Sequence, residues 1–317
     1  MKPSLWMLVG LSFLALVVLA SVAIAVFLLL HWAPDRSVDS LAPKWARSPS
    51  QFIAMDGMQV HVRDEGPRDD PLPIVLLHGT GSSLHTWDAW AASLSPERRV
   101  IRFDRPGFGL TGPDPRDRYD MTHAAAFTLE LLRKLGVHRF VIAGNSSGGR
   151  VAWHVAVAAP ERVARLVLIA AGGYPRRTPL PIGLRIAQSP LGLLLSRVLP
   201  RSAVEDGVRG TYGDPSKVTA ALVDRNYEIA LRQGNRAALG ETLRQGDPAD
   251  SASIRSIRAP TLILWGSLDS VIPVQDAERF HRDIAGSELV TFEGVGHLPQ
   301  EESPDATLAA FTEWLRR

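Results

Sequence analysis

The chain has 317 residues, 45% of them hydrophobic and 21% charged, enough for one large domain with a substantial core or two modest ones. A formal charge of +2, with both signs mixed along the chain, excludes the concentrated basic face that a nucleic-acid binder needs. Cysteine is absent, which excludes disulfides and thiolate metal sites.

The first predicted element is a 26-residue stretch without a charge, Leu5 to Leu30. As a helix it measures roughly 39 Å, against a hydrocarbon core of about 30 Å. Trp6 and Trp32 sit near its ends, where interfacial aromatics belong. Ala23-Ile24-Ala25 resembles a signal-peptide cleavage site, but the apolar run continues past it through "VFLLL" and is longer than a signal-peptide core. Residues 1–32 are therefore expected to form an uncleaved transmembrane anchor. The short N-terminal tail with Lys2, set against Arg36, Lys44 and Arg47 beyond the span, is taken to put the domain that follows outside the cytoplasm. Residues 33–50, Pro/Ser-rich and mixed in charge, read as a tether.

Beyond residue 50 strands and helices alternate. "QFIAMDGMQVHVRDEG" predicts two strands joined by a turn at Asp56-Gly57. Strand patterns follow at "PIVLLHG", "RVIRFDRPG", "RFVIAGN", "VARLVLIAA", "APTLILWG" and "ELVTFEG". Helical patterns lie between them, and one, "MTHAAAFTLELLRKLG", ends at Gly136 in C-cap position. Continuously apolar strands separated by helices indicate an α/β fold with a mostly parallel sheet covered on both faces. Residues 51–172 and 257–317 are expected to form this core. Residues 173–256 carry no convincing strand and are helical in pattern, so they are expected to form a lid over the strand ends.

Within the core, "GNSSG" from Gly144 to Gly148 fits the G-x-S-x-G nucleophile elbow, between a strong apolar strand and an apolar helix. A sharp turn there aims Ser146 Oγ out of the sheet, and the helix that follows points its positive end at it. A serine hydroxyl needs a base and an orienting acid. His297, on the glycine-rich loop of "FEGVGHLPQEE", is the candidate base, and Asp269, directly after the strand of "LILWGSLDSVIP", the candidate acid. The order Ser146, Asp269, His297 is the one this architecture uses. His61, His138, His154 and His281 read as surface or core-satisfied residues, and His78 as a residue shaping its loop. "HGTG" after an earlier strand offers the backbone N–H of Thr80, with that of Ser147, as the oxyanion hole.

"GFGLTG", Gly107 to Gly112, formally matches a dinucleotide fingerprint, but Pro113 and Pro115 deny the helix that must follow it. "GNSSGGR" lacks the ending of a phosphate-binding loop, and no His/Asp/Glu cluster has metal-ligand spacing. Neither a cofactor nor a metal is expected. Trp87 and Trp90, three apart on a helix, are expected in the core.

In the order "HGTG", "DRPGFGLT", "GNSSGG", "GSLDSVIP" and "GVGHLPQEESP", the sequence resembles the α/β-hydrolase superfamily over roughly residues 50 to 317. The resemblance implies Ser146 as nucleophile, His297 as base and Asp269 as orienting acid. It is specific for fold and triad rather than for substrate; with the tether, the apolar lid stretch and the N-terminal span, the expectation is a membrane-anchored hydrolase of hydrophobic or lipid-derived carboxylic esters. Alternatives within the same triad are carbon–carbon bond hydrolysis, to which "GN" before the serine is similar, and cofactor-free perhydrolysis. Carbon–carbon hydrolases usually continue S-M-G-G, whereas this chain has Ser147. A non-catalytic ligand-binding member is the remaining alternative.

Overall fold

The computed structural model describes residues 4–176, 179–180, 182–189, 192, 196–245 and 251–317. Lys2 and parts of the apolar stretch 179–200 lie outside the described residues.

Eight strands form one sheet: β1 (Ser50–Met55), β2 (Met58–Glu65), β3 (Ile74–Leu77), β4 (Val100–Phe103), β5 (Phe140–Asn145), β6 (Val163–Ile169), β7 (Thr261–Gly266) and β8 (Glu288–Phe292). Their order is β1-β2-β4-β3-β5-β6-β7-β8. β1 and β2 pair antiparallel across Asp56-Gly57, and both turn residues have positive φ (54° and 82°), the requirement of a two-residue hairpin turn. β2 pairs antiparallel with β4, and every pairing from β4 to β8 is parallel. The parallel strands β3, β4, β5 and β7 are buried along their whole length, as their apolar runs lead one to expect; the exception in composition is Arg102 of β4, which is buried against Glu65.

Helices cover both faces. On one side α3 (Asp88–Leu94) and the last helix of the chain, Pro304–Arg316, bury Trp87, Trp90, Phe311 and Trp314 against β3, β5 and β7. Trp90 stacks on Phe311 with 4.9 Å between ring centroids and donates its indole N–H to Thr307 Oγ1 at 3.1 Å. Burying each such side chain is worth about 1.5–3 kcal/mol, so Trp87 and Trp90 are core residues, as expected. On the other side α4 (Met121–Lys134), α5 (Ser147–Ala158) and the helix Gln275–Asp283 cover the sheet with Phe127, Trp153 and Phe280. Asp120 caps α4 by accepting from His123 N at 2.8 Å, and Gly136 takes a φ of 70° just past its end.

Between β6 and β7 the described residues hold helices and no strand: α6 (Ile182–Gln188), α7 (Arg201–Arg209), α8 (Ala220–Ala230) and α9 (Asn235–Gln245). After β7 come α10 (Gln275–Asp283), α11 (Pro299–Glu302) and α12 (Pro304–Arg316).

The N-terminal stretch is one helix, α1 (Leu5–Leu30), apolar and exposed, and its segment Val9–Leu30 is a candidate membrane span by length and composition. Residues 33–50, expected as a tether, differ from that reading. They hold a short helix, α2 (Val38–Trp45), and are tied to the insertion between β6 and β7. Ala33 N donates to Arg197 O at 2.9 Å and Leu199 N to His31 O at 3.1 Å. Asp35 pairs with Arg236 at 2.7 Å, Trp45 Nε1 donates to Glu228 at 2.8 Å, and Leu41 is buried. These partners lie far downstream, up to 201 residues away in the case of Asp35 and Arg236, so composition alone gives no sign of them.

Candidate active site

Each residue singled out by the sequence follows the C-terminal end of a parallel strand: Thr80 after β3, Ser146 after β5, Asp269 after β7 and His297 after β8. Ligands gather at that edge of an open α/β sheet.

Ser146 joins β5 to α5 directly, at φ 56° and ψ −121°. For a residue with a Cβ this is a strained conformation, of the kind that persists where surrounding contacts over-determine it. Its N–H donates to Ile169 O at 3.0 Å and its carbonyl accepts from Gly172 N at 3.0 Å, so both ends are fixed to the strand edge. The close approach of strand and helix explains the flanking glycines. A Cβ at Gly144 lies 2.3 Å from Gly148 O, and one at Gly148 lies 2.3 Å from Leu77 O.

The candidate acid and base are joined. His297 Nδ1 and Asp269 Oδ2 are 2.8 Å apart, with both residues buried. The other oxygen of Asp269 accepts from Val271 N at 2.8 Å and Ile272 N at 2.9 Å, which fixes the plane of the carboxylate. His297 N donates to Thr211 O at 2.7 Å, and its carbonyl accepts from Asn145 Nδ2 at 3.1 Å. Asn145 immediately precedes Ser146, so one amide links the serine's strand end to the histidine's loop. No hydrogen bond joins Ser146 Oγ to His297 among the described residues; contacts of this kind are often long before substrate binds.

Thr80 and Ser147 meet beside Ser146, with 2.9 Å between their hydroxyl oxygens. Among the described residues neither backbone N–H donates a hydrogen bond. A crevice of about 170 Å³ opens here, lined by Thr80, Ser146, Ser147, Arg150, Ile272 and Asp276 among others.

His78 is buried with both ring nitrogens engaged: Nδ1 donates to Gly79 O at 2.8 Å, and Nε2 accepts from Arg105 N at 3.0 Å. Burial, helped by the Arg105 charge, pushes its pKa down to about 3, so the ring is neutral and shapes the loop. The first two residues of "DRPGFGLT", Asp104 and Arg105, are functional neighbours that local sequence did not mark. Buried Asp104 accepts from His61 Nδ1, Leu84 N and Leu110 N, each at 2.7 Å. Burial raises its pKa, but the hydrogen bond and charge of His61, with His78 and His85 beyond it, together outweigh that and hold the carboxyl well below the usual range. The glycine-rich loop wraps this carboxylate; a Cβ at Gly109 lies 1.9 Å from Asp104 Cγ. That accounts for the false dinucleotide pattern. Arg105, next in sequence, reaches Ser147 Oγ with Nη2 at 2.7 Å.

The sequence matches the alpha/beta hydrolase family over residues 74–310. The chain belongs to that family. An uncharacterised protein of Mycobacterium tuberculosis H37Rv is 32% identical over 246 residues, covering 73% of this chain and 71% of that one. A 2-hydroxy-6-oxo-2,4-heptadienoate hydrolase of Pseudomonas putida F1 is 30% identical over 262 residues, covering 80% of this α/β hydrolase and 91% of the relative. Among solved structures, the crystal structure of a membrane phospholipase A described as a bacterial virulence factor superposes with a TM-score of 0.74 at 25% identity. It covers 98% of this chain and 97% of that chain.

Proposed function

We propose that this α/β hydrolase is a membrane-anchored serine hydrolase that cleaves carboxylic esters of hydrophobic or lipid-derived acids. Ser146 Oγ attacks the ester carbonyl while His297 takes its proton. The tetrahedral anion is held by the N–H groups of Thr80 and Ser147, the alcohol leaves with the proton, and water releases the acyl-enzyme. Asp269 keeps Nδ1 of His297 as the donor and stabilises the imidazolium. The observation that carries this reading is the 2.8 Å bond between His297 and Asp269 at the strand edge that also bears Ser146. The insertion between β6 and β7 serves as the lid, and α1 serves as the anchor, with the catalytic domain outside the cytoplasm. The apolar, exposed α1 and the likeness to the membrane phospholipase A over nearly the whole chain support the anchor.

Fluorophosphonate labelling of the full-length chain tests the reading. Labelling of the wild type that is lost in Ser146→Ala, with ester hydrolysis falling roughly 10⁴-fold or more, is expected. Labelling that survives Ser146→Ala rejects it. A second reading, carbon–carbon bond hydrolysis by the same groups, is favoured by the heptadienoate hydrolase relative and by Asn145 before the serine. Turnover of a vinylogous diketone well above that of p-nitrophenyl esters selects it.

A further inference from the structure

Arg105 is buried, and its guanidinium forms no ion pair with a carboxylate of the described residues. Its Nε lacks a hydrogen-bond partner, and the group lies over the Phe108 ring at 5.3 Å. Burial pushes its pKa down to about 10, which leaves it charged at neutral pH. A desolvated charge without a counter-charge is costly, and a fold that only braced a loop has no need of one. Other interior arginines are matched: Arg99 meets Asp64, and Arg102 meets Glu65. Arg105 is aimed instead at Ser147 Oγ, at 2.7 Å, and that oxygen also lies 2.9 Å from Thr80 Oγ1.

The hydroxyl pair has a definite hydrogen count. Each hydroxyl carries one hydrogen, and one of the two is used between them. Whichever way that bond runs, one hydrogen remains, and Thr80, Ser147 and Ser146 all line the same crevice. Arg105 donates into the pair from behind and polarises the remaining O–H toward the crevice.

We infer that Arg105 is a positioning residue for anion stabilisation, acting through the Ser147–Thr80 hydroxyl pair. The pair gives the tetrahedral anion formed at Ser146 a third hydrogen bond, beside the two backbone N–H groups, and the guanidinium is the positive charge behind it. The inference rests on the serine-hydrolase reading above. It assigns the side chain of Ser147 a role separate from its N–H.

The test compares Arg105→Gln, Arg105→Lys, Ser147→Ala and the Arg105→Gln/Ser147→Ala double variant in the full-length chain in detergent. Readouts are kcat and KM on p-nitrophenyl butyrate, and inhibition by phenylboronic acid, which forms a tetrahedral anion on a reactive serine. Arg105→Gln is expected to lower kcat at least tenfold with KM within twofold, and to weaken the boronic acid by a similar factor. Arg105→Lys should recover part of both. The double variant should lose no more than the worse single one, because both changes cut the same relay. If Arg105→Gln has no thermal unfolding transition, Ser147→Ala and Arg105→Lys decide by the same kcat and boronic-acid criteria. A wild type that neither labels with fluorophosphonate nor hydrolyses ester rejects the serine-hydrolase reading and this inference together. An active, labelled wild type whose folded Arg105 and Ser147 variants keep kcat and boronic-acid affinity within twofold overturns this inference alone.

Discussion

The two flanks of Ser146 along the strand edge, β3 on one side and β7 and β8 on the other, are built on opposite terms. On the Asp269–His297 flank the polar groups are met: one carboxylate oxygen by two backbone N–H groups, the other by the imidazole, and the histidine backbone by Thr211 and Asn145. On the Thr80–Ser147 flank donors outnumber acceptors: two backbone N–H groups, a hydroxyl hydrogen and a buried guanidinium whose Nε is unmatched. In the proposed reaction, the first flank fixes the geometry of the acid–base pair, and the second holds donors for the negative charge that develops at Ser146, as preorganised stabilisation of an anion requires.

The contrast can be broken most severely from the satisfied side. Asp269→Asn keeps the shape but lets the amide favour the wrong imidazole tautomer. It should lower kcat by roughly 10³–10⁴-fold with little change in melting temperature, as steady-state kinetics beside thermal denaturation will read. Glu302→Gln strikes the scaffold behind that flank. The Glu302 carboxylate accepts from Gly296 N at 2.7 Å, Asp214 N at 2.8 Å and Gly213 N at 3.0 Å, and an amide cannot receive all of them. A loss of about 1–3 kcal/mol in denaturant titration is expected, with a fall in kcat because Gly296 adjoins His297.

A smaller effect comes from pH. His78 and His85 have pKa values pushed down from 6.5 to about 3 and about 4, in both cases chiefly by burial. The unfolded chain therefore binds protons that the folded chain refuses, so stability is complete above about pH 6.5 and declines as the pH falls toward 4. Melting temperatures measured from pH 7.5 to pH 4.5 should fall steadily. A flat profile down to pH 5 removes the neutral, buried His78 from the account of the loop.

Much of this was legible in the sequence, for physical reasons. Strands buried on both faces are spelled largely as apolar runs, so β3, β5 and β7, and the mostly apolar β4 and β6 despite Arg102 and Arg165, were legible from local composition. Ser146 was legible because an elbow must have small neighbours at fixed offsets, and Asp269 and His297 because each sits on the short loop that leaves a strand. Residues 33–50 misled because Pro and Ser describe the local chain, whereas Leu41 and Trp45 are held by partners far downstream. Arg105 stands in plain view in "DRPG", yet its importance lies in what does not meet it. A missing counter-charge is a property of three-dimensional neighbours, and no spacing rule reports it.

The backbone bond between His297 and Thr211, with Glu302 gripping Gly213 and Asp214 on one side and Gly296 on the other, makes one rigid joint of two regions. Any swing of the insertion at residues 211–214 would drag the imidazole off its aspartate. In the proposed reaction, with the insertion as lid, substrate admission at that end and proton transfer are geared together, and an opening movement pivots about this joint rather than through it.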